Sequence, residues 1–364
     1  MRILVHEFVS GGGLAGRDVS ASLAREGLAM LTALIADLAA IHRHQIVTTV
    51  DPRFALPTPP GVEVVTLSPG SEGSATLDAL IASADAVWLV APETDRCLER
   101  LAVRVERRGK TLLGSGAMAI RRASDKGRLP RRLACHGVAH PTTRVLRPGA
   151  DWGKAAREVG YPLIVKPARG AGCEGVCLAR NVRELRDALD VTRRANGGGS
   201  LLLQRYVTGT AASVSLLTNG RRAVALTVNA QSVRASMPFS YHGGKTPLDH
   251  PLAGKAVETA LRTCQAFPGL RGYIGVDVVL TESEAVVIEV NPRLTTAYLG
   301  VRSALGGNTG DVGNVAAMAL AACAGTLPVP PPARRSVRFT AAGFIHSTAP
   351  VRLPALVSLR ALKQ

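Results

Sequence analysis

Aromatic side chains are scarce in this chain. Six Phe, five Tyr and two Trp make up 4% of the sequence. The net charge is +17, but the basic residues spread along the whole length and no nucleic-acid motif appears. Runs such as 100–110 and 121–132 therefore read as solvated faces, and no nucleic-acid partner is expected. Long apolar runs are also missing. Residues 27–41 come nearest to the ~20 apolar residues of a membrane helix, and Thr32 and Asp37 interrupt them. No membrane partner is expected. Residues 1–8 are too short and carry an early acid for a signal peptide, so a cytoplasmic protein is expected. The six cysteines form no Cys-x-x-Cys pair and have no His-rich cluster beside them, which excludes a structural zinc site. Lysine is rare too, at seven of the 44 basic residues. No internal repeat is present.

What remains is ample for packed cores. Apolar residues are 46% of 364, enough for two or three units. Residues 1–116 alternate strand-like runs (3–8, 62–67, 86–90, 111–113) with helix-like ones (20–40, 75–83, 97–108). That alternation predicts a parallel sheet with crossover helices. Residues 117–202 carry expected strands at 143–146, 163–167 and 176–179, then a helix at 182–194 and a Gly-rich turn. Residues 203–328 are rich in paired strands: 211–217, 223–231, 274–281 and 285–290. A proline cluster at 328–332 precedes a tail, 329–364, with an apolar strand at 337–345 that should pack on the edge of the body.

The chemistry concentrates in three stretches. Gly275-Val276-Asp277 is followed, across a short turn, by Glu289-Val290-Asn291-Pro292-Arg293. Strand alternation puts Glu289 and Asn291 on one face, and pairing the strands brings Asp277 beside them. Three hard oxygen donors on a sheet suit Mg²⁺ carrying a nucleotide phosphate, and Arg293 could hold an anion bidentately. The second stretch is Val165-Lys166-Pro167-Ala168-Arg169-Gly170-Ala171-Gly172-Cys173-Glu174-Gly175: a buried strand ending in lysine, then a Gly-rich loop whose N–H groups can wrap phosphate. It is not a Walker loop, because Gly-Lys-[Ser/Thr] is missing. In a chain that favours arginine, Lys166 and Lys126 look chosen for a compact ammonium. The third stretch, Gln204-Arg205-Tyr206-Val207, links parts two and three and could seat an adenine against apolar walls.

The joint order of Lys126, Val-Lys-Pro with its Gly-rich loop, Gln-Arg-Tyr-Val, Gly-Val-Asp and Glu-Val-Asn-Pro-Arg resembles the ATP-grasp superfamily over about 110–325. The resemblance implies an α+β ATP-grasp fold, two lobes clasping ATP, preceded by the parallel α/β domain. It implies ATP and one or two Mg²⁺, with Mn²⁺ as a substitute. Lys126, Lys166, Arg169, Gly170, Ala171, Gly172, Glu174 and Gly175 would hold phosphates, and Gln204, Arg205, Tyr206 and Val207 the adenine. Asp277, Glu289 and Asn291 would bind metal. Lys166 and Arg293 would be catalytic, Arg293 stabilising an acyl phosphate that an amine attacks. One departure stands out: Ala211 and Ala212 occupy the place where many members carry a ribose-binding acid.

Within the superfamily, Glu7-Phe8-Val9-Ser10-Gly11-Gly12-Gly13, Arg25-Glu26-Gly27, Ala91-Pro92-Glu93, Asn229-x-Gln231 and Tyr241-x-Gly243-Gly244 are similar to the tyramine–glutamate ligases of methanofuran biosynthesis and their bacterial relatives. That likeness implies Glu7, Ser10, Gly11, Gly12, Gln231, Tyr241, Gly243 and Gly244 as substrate residues. Residues 10–13 read equally well as a carboxylate-binding strand-end loop or as a plain turn. The partners expected are small molecules, an amino acid and an amine; a homodimer is allowed. Two other readings stay open: a ligase of the D-alanine–D-alanine type, against which Gly275 counts, and a nucleotide sensor without catalysis.

Overall fold

The computed structural model describes residues 1–170, 172–306 and 313–348. The first sheet contains β1 (Arg2–Glu7), β2 (Gln45–Val50), β3 (Glu63–Thr66), β4 (Ala86–Val90) and β5 (Thr111–Leu112), in the order β3-β2-β1-β4-β5 and wholly parallel. Its helices are α1 (Ala21–Ala39), α2 (Gly70–Ser83) and α3 (Cys97–Glu106). β1 and β4 are near-continuous apolar runs because both faces of a parallel sheet are covered. Ser20 starts α1 by accepting the Leu23 amide on its side chain. The sequence reading passed over β2, a β-branched run that the helix before it masked.

Next come α4 (Ala117–Ala123), α5 (Leu129–Ala134), β6 (Thr143–Leu146), α6 (Trp152–Val159), β7 (Leu163–Pro167), β8 (Cys177–Ala179), α7 (Val182–Ala195) and β9 (Leu201–Arg205). The four strands make an antiparallel sheet, β6-β9-β7-β8, with a core of its own under α6 and α7. Residues 117–138, expected in this small lobe, pack elsewhere. Leu129, Leu133 and Val138 join the core of the large sheet, and Ile120 joins that of the parallel sheet.

The large sheet is built from β10 (Thr210–Asn219), β11 (Ala223–Arg234), β12 (Ser240–Thr246), β13 (Arg271–Leu280), β14 (Ala285–Asn291), β15 (Ser336–Thr340) and β16 (Ile345–Thr348). It is antiparallel in the order β14-β13-β10-β11-β12-β15-β16. α8 (Ala253–Gln265) covers one face, while α9 (Ala297–Ala304) and α10 (Val315–Cys323) lie between this sheet and α1. The strand expected at 337–345 is a hairpin, β15 turning into β16, that extends the sheet from β12. Residues 349–364 of the expected tail lie outside the described residues.

The parallel sheet and the large sheet share one core, in which Ile3, Val5, Leu31 and Leu34 meet Tyr298, Leu299 and Met318. A buried ion pair ties the same contact. Asp37 of α1 accepts two bonds from Arg302 and one from the Tyr298 hydroxyl, and the Asn314 side chain donates 2.8 Å to the Asp37 carbonyl. Among the described residues no helix is long and apolar enough to cross a membrane.

Candidate active site

The floor of the site is the hairpin β13–β14. Asp277 pairs with Glu289 and Gly275 with Asn291, and a bulge after Asp277 lets the two carboxylates share a face. Asn291 donates its amide to Asp277 at 3.0 Å, and its own Oδ1 has no partner among the described residues. Gln231 of β11 donates to the other oxygen of Asp277 at 2.9 Å. Burial raises the Asp277 carboxyl to about 7, the Glu289 charge adds to the rise, and the two amide donors oppose it. Two like charges brought together out of water make a site that favours a cation. Among the described residues no three His, Cys, Asp or Glu side chains converge. The donor set is therefore two carboxylates and an amide oxygen. That is short of six hard ligands, and it fits Mg²⁺, whose remaining positions go to phosphate oxygens and water.

Two buried lysines face this floor. Lys126, after α4, reaches Glu289 at 3.0 Å and the Gly170 carbonyl at 2.7 Å, so it stitches the glycine loop to the carboxylate hairpin. Lys166, at the end of β7, donates 2.9 Å to Gln204, which in turn donates 3.0 Å to Thr143. Burial lowers Lys166 to about 8, and the nearby Lys126 ammonium lowers it further against the pull of Glu289 and Asp277. Arg169 leaves Nη1 buried with no partner among the described residues. An orphaned guanidinium N–H at the base of a glycine-rich loop fits an anion such as a nucleotide phosphate. Gly175 is required where it stands: its φ is +67° and a Cβ would come within 2.8 Å of Ala195. Gly172 and Glu174 are exposed on the loop, and Ala171 lies outside the described residues.

The linker 204–207 departs from the expectation in detail. The Arg205 and Tyr206 amides already donate to Thr142 and Pro162 carbonyls at 2.8 and 3.1 Å, and the Arg205 side chain is exposed. Neither amide is available to an adenine. Val207 is the linker residue whose main-chain amide carries no bond among the described residues. Tyr206 also lines an open cavity of about 470 Å³ with Tyr161, Pro162 and Leu178.

The third wall comes from the carboxyl ends of the parallel strands, where open α/β sheets place their ligands. Arg293 meets Glu93, two residues beyond Ala91 at the end of β4, through Nε at 2.8 Å and Nη2 at 2.9 Å. Burial opposes the Arg293 charge, but the Glu93 carboxylate overcomes it and the net shift is upward. Glu26 of α1 bonds to Thr296. The half-buried Tyr241 phenol is held well above its ordinary value by burial, and then by Glu26 and Asp277.

Several residues expected at the substrate have other employment. Glu7 is buried and accepts Ser10 N at 2.6 Å and Ser10 Oγ at 2.7 Å. The carboxylate held by the loop amide at Ser10 is thus the chain's own, and Glu7 and Ser10 buttress the loop rather than offer free groups. Gly11 and Gly12 close this turn against Thr49 and Leu67. Gln231 serves Asp277. Gly243 and Gly244 lie inside β12 with neighbours on both sides: a Cβ would fall 2.0 Å from the Phe339 carbonyl at the first and 2.1 Å from the Ala230 carbonyl at the second. Close strand approach, not substrate contact, requires glycine there. Conversely, Glu93 and Glu26 were quoted in matching motifs without a role. The signal for Glu93 was an acid just past a buried parallel strand.

Comparison with known proteins agrees with this geometry. Residues 123–297 match the model of the ATP-grasp domain and residues 44–120 that of the pre ATP-grasp 3 domain. A tyramine–L-glutamate ligase of Methanocaldococcus jannaschii is 32% identical over 104 residues, 29% of this chain and 32% of the relative. A D-alanine–D-alanine ligase of Ralstonia pickettii is 29% identical over 188 residues, 50% of this chain and 56% of the relative. The chain thus spans between about a third and a little over half of these curated relatives. A crystal structure of a putative ATP-grasp superfamily protein from Archaeoglobus fulgidus superposes with a TM-score of 0.67 at 26% identity, covering 93% of this chain and 92% of that one. The buried lysines, the carboxylate hairpin and these two neighbouring matches lead to one assignment: the chain carries a pre-ATP-grasp domain leading into an ATP-grasp domain, with the fold of that superfamily.

Proposed function

We propose that this protein is an ATP-dependent carboxylate–amine ligase, and that it joins the γ-carboxyl of glutamate to tyramine or tyrosine in methanofuran or methylofuran biosynthesis. The observation supporting the reaction class is that Lys126 pairs with Glu289, Asn291 bonds to Asp277, and the buried Lys166 lies within the field of Lys126, Glu289 and Asp277. In this reading Lys126, Lys166 and Arg169 bind the ATP phosphates. Asp277, Glu289 and Asn291 hold Mg²⁺, which neutralises phosphate charge. A carboxylate oxygen attacks the γ-phosphorus, the bond to ADP breaks, and an acyl phosphate forms. The free edge of the Arg293 guanidinium faces that anion. The amine nitrogen then attacks the acyl carbon, the C–O bond to phosphate breaks, and the nitrogen loses a proton.

The substrate pair rests on the likeness to the tyramine–L-glutamate ligase. The longer match to a D-alanine–D-alanine ligase favours a second reading, a ligase for another amino acid. Against it, a Cβ at Gly275 would sit 2.8 Å from Thr295, so the arginine that such ligases resemble having there finds no room. Phosphate release from Mg²⁺-ATP, assayed over a panel of acid and amine pairs, tests both. Release with glutamate only when tyramine or tyrosine is added supports the proposal. Release with glutamate and neither amine sinks the substrate assignment. No release with any pair favours a nucleotide sensor.

A further inference from the structure

The bidentate contact between Arg293 and Glu93 joins the metal hairpin to the parallel-sheet domain, and the chain around Glu93 is unusual. Glu93 is 3% exposed and lies just past β4. Pro92 precedes it with a fixed φ, and the Pro92 and Glu93 carbonyls accept the amides of Leu98 and Arg96 at 3.1 Å each. Directly beyond, Asp95 and Arg96 both adopt left-handed backbone, with φ of +50° and +58°. Two successive non-glycine residues in that region are strained, and such strain persists only where surrounding contacts enforce it, most often at a functional site. Here the strained turn presents one carboxylate to one guanidinium.

The fork geometry says what this does. Glu93 engages Nε and Nη2 along one edge of the guanidinium, and Nη1 donates 3.1 Å to the Leu294 carbonyl. Among the described residues, one N–H on Nη2 and one on Nη1 remain without a partner. Arginine is always charged and its flexible stem loses freedom when held. We propose that Glu93 is a positioning residue for Arg293: it fixes the free edge toward the reacting anion and offsets the arginine charge, so that inorganic phosphate is not retained. This rests on the ligase reading for its catalytic meaning, but its core claim concerns anion affinity alone.

The test is therefore a binding measurement on the full chain, with inorganic phosphate as the probe in the presence of Mg²⁺-ADP. Titration calorimetry on Glu93→Gln should give phosphate affinity about tenfold tighter than wild type, because the fork gains a bare charge. Glu93→Gln combined with Arg293→Ala should lose that gain. A merely structural Glu93 would not tighten anion binding. Should Glu93→Gln fail to fold, Glu93→Asp, with the carboxylate drawn back one methylene, should show a smaller gain of the same sign. If the ligase reading holds, Glu93→Gln also lowers kcat with the KM for ATP unchanged. Unchanged phosphate affinity, or a gain that survives Arg293→Ala, overturns the proposal. An absence of ligase activity overturns only the reading on which its catalytic meaning rests.

Discussion

On the large sheet, Asp277 and Glu289 meet lysines and amide donors that satisfy part of each carboxylate and leave the pair electrostatically short of a cation. On the parallel-sheet side, Glu7, Glu26 and Glu93 are each engaged by a partner within the chain: Ser10, Thr296 and Arg293. The first arrangement suits a cation from outside. The second shapes a wall. Counting acids near a site would have treated all five alike, whereas the hydrogen bonds separate ligands from buttresses.

The sharpest way to break this comparison is Asp277→Asn. Losing a metal carboxylate should lower turnover about 10³-fold, since such an ion supplies several kcal/mol of charge stabilisation. The fold should survive, as checked by thermal unfolding, and added Mg²⁺ should no longer raise the melting temperature. Lys166→Ala should lower kcat/KM for ATP about 10²–10³-fold, the usual effect of removing one charge-stabilising donor. Lys166 also sets a pH limit. Its folded-state value is depressed to about 8 from the ordinary 10.5, so the ammonium that meets phosphate is present below about 8 and lost above it. ATP affinity should fall as pH rises through that value, and Lys166→Arg should move the fall upward. A flat profile would remove Lys166 from the phosphate site.

Smaller effects test the buttresses. Asp37→Ala removes the buried carboxylate to which both Arg302 and Tyr298 donate and should destabilise the chain by about 3–5 kcal/mol in urea unfolding. Gly243→Ala forces a methyl against a neighbouring strand and should cost about 1–3 kcal/mol, with the KM for ATP unchanged if Gly243 only packs. Ser10→Ala removes the hydroxyl donor to the buried Glu7 and leaves its amide donors, costing about 1 kcal/mol. Nucleotide binding measured by calorimetry should not change, and a large loss would place the 9–13 turn at the nucleotide rather than in the wall.

Much of the fold was legible because its signals are local. The βα alternation of residues 1–113 reads directly as a parallel sheet, and the short turn between β13 and β14 reads as a hairpin that brings Asp277 near Glu289, with the bulge after Asp277 setting the final register. What escaped depended on distant contacts. Residues 117–138 look like the start of the small lobe, yet their apolar faces match the large sheet. β12 was hidden because its glycines suggest a loop, and only the approach of β15 explains them.

The sequence by itself determined that Asp277, Glu289 and Asn291 lie on one hairpin, because pairing across a short turn is set by neighbours in the chain; the bulge after Asp277, which the strand period does not show, set the register that puts them on one face. Tertiary structure alone decided the opposite wall. Glu93 and Arg293 are 200 positions apart, and no periodicity relates them. Their contact exists because the parallel sheet and the large sheet bury a common core through α1, α9 and α10, which carries the turn after β4 to the end of β14.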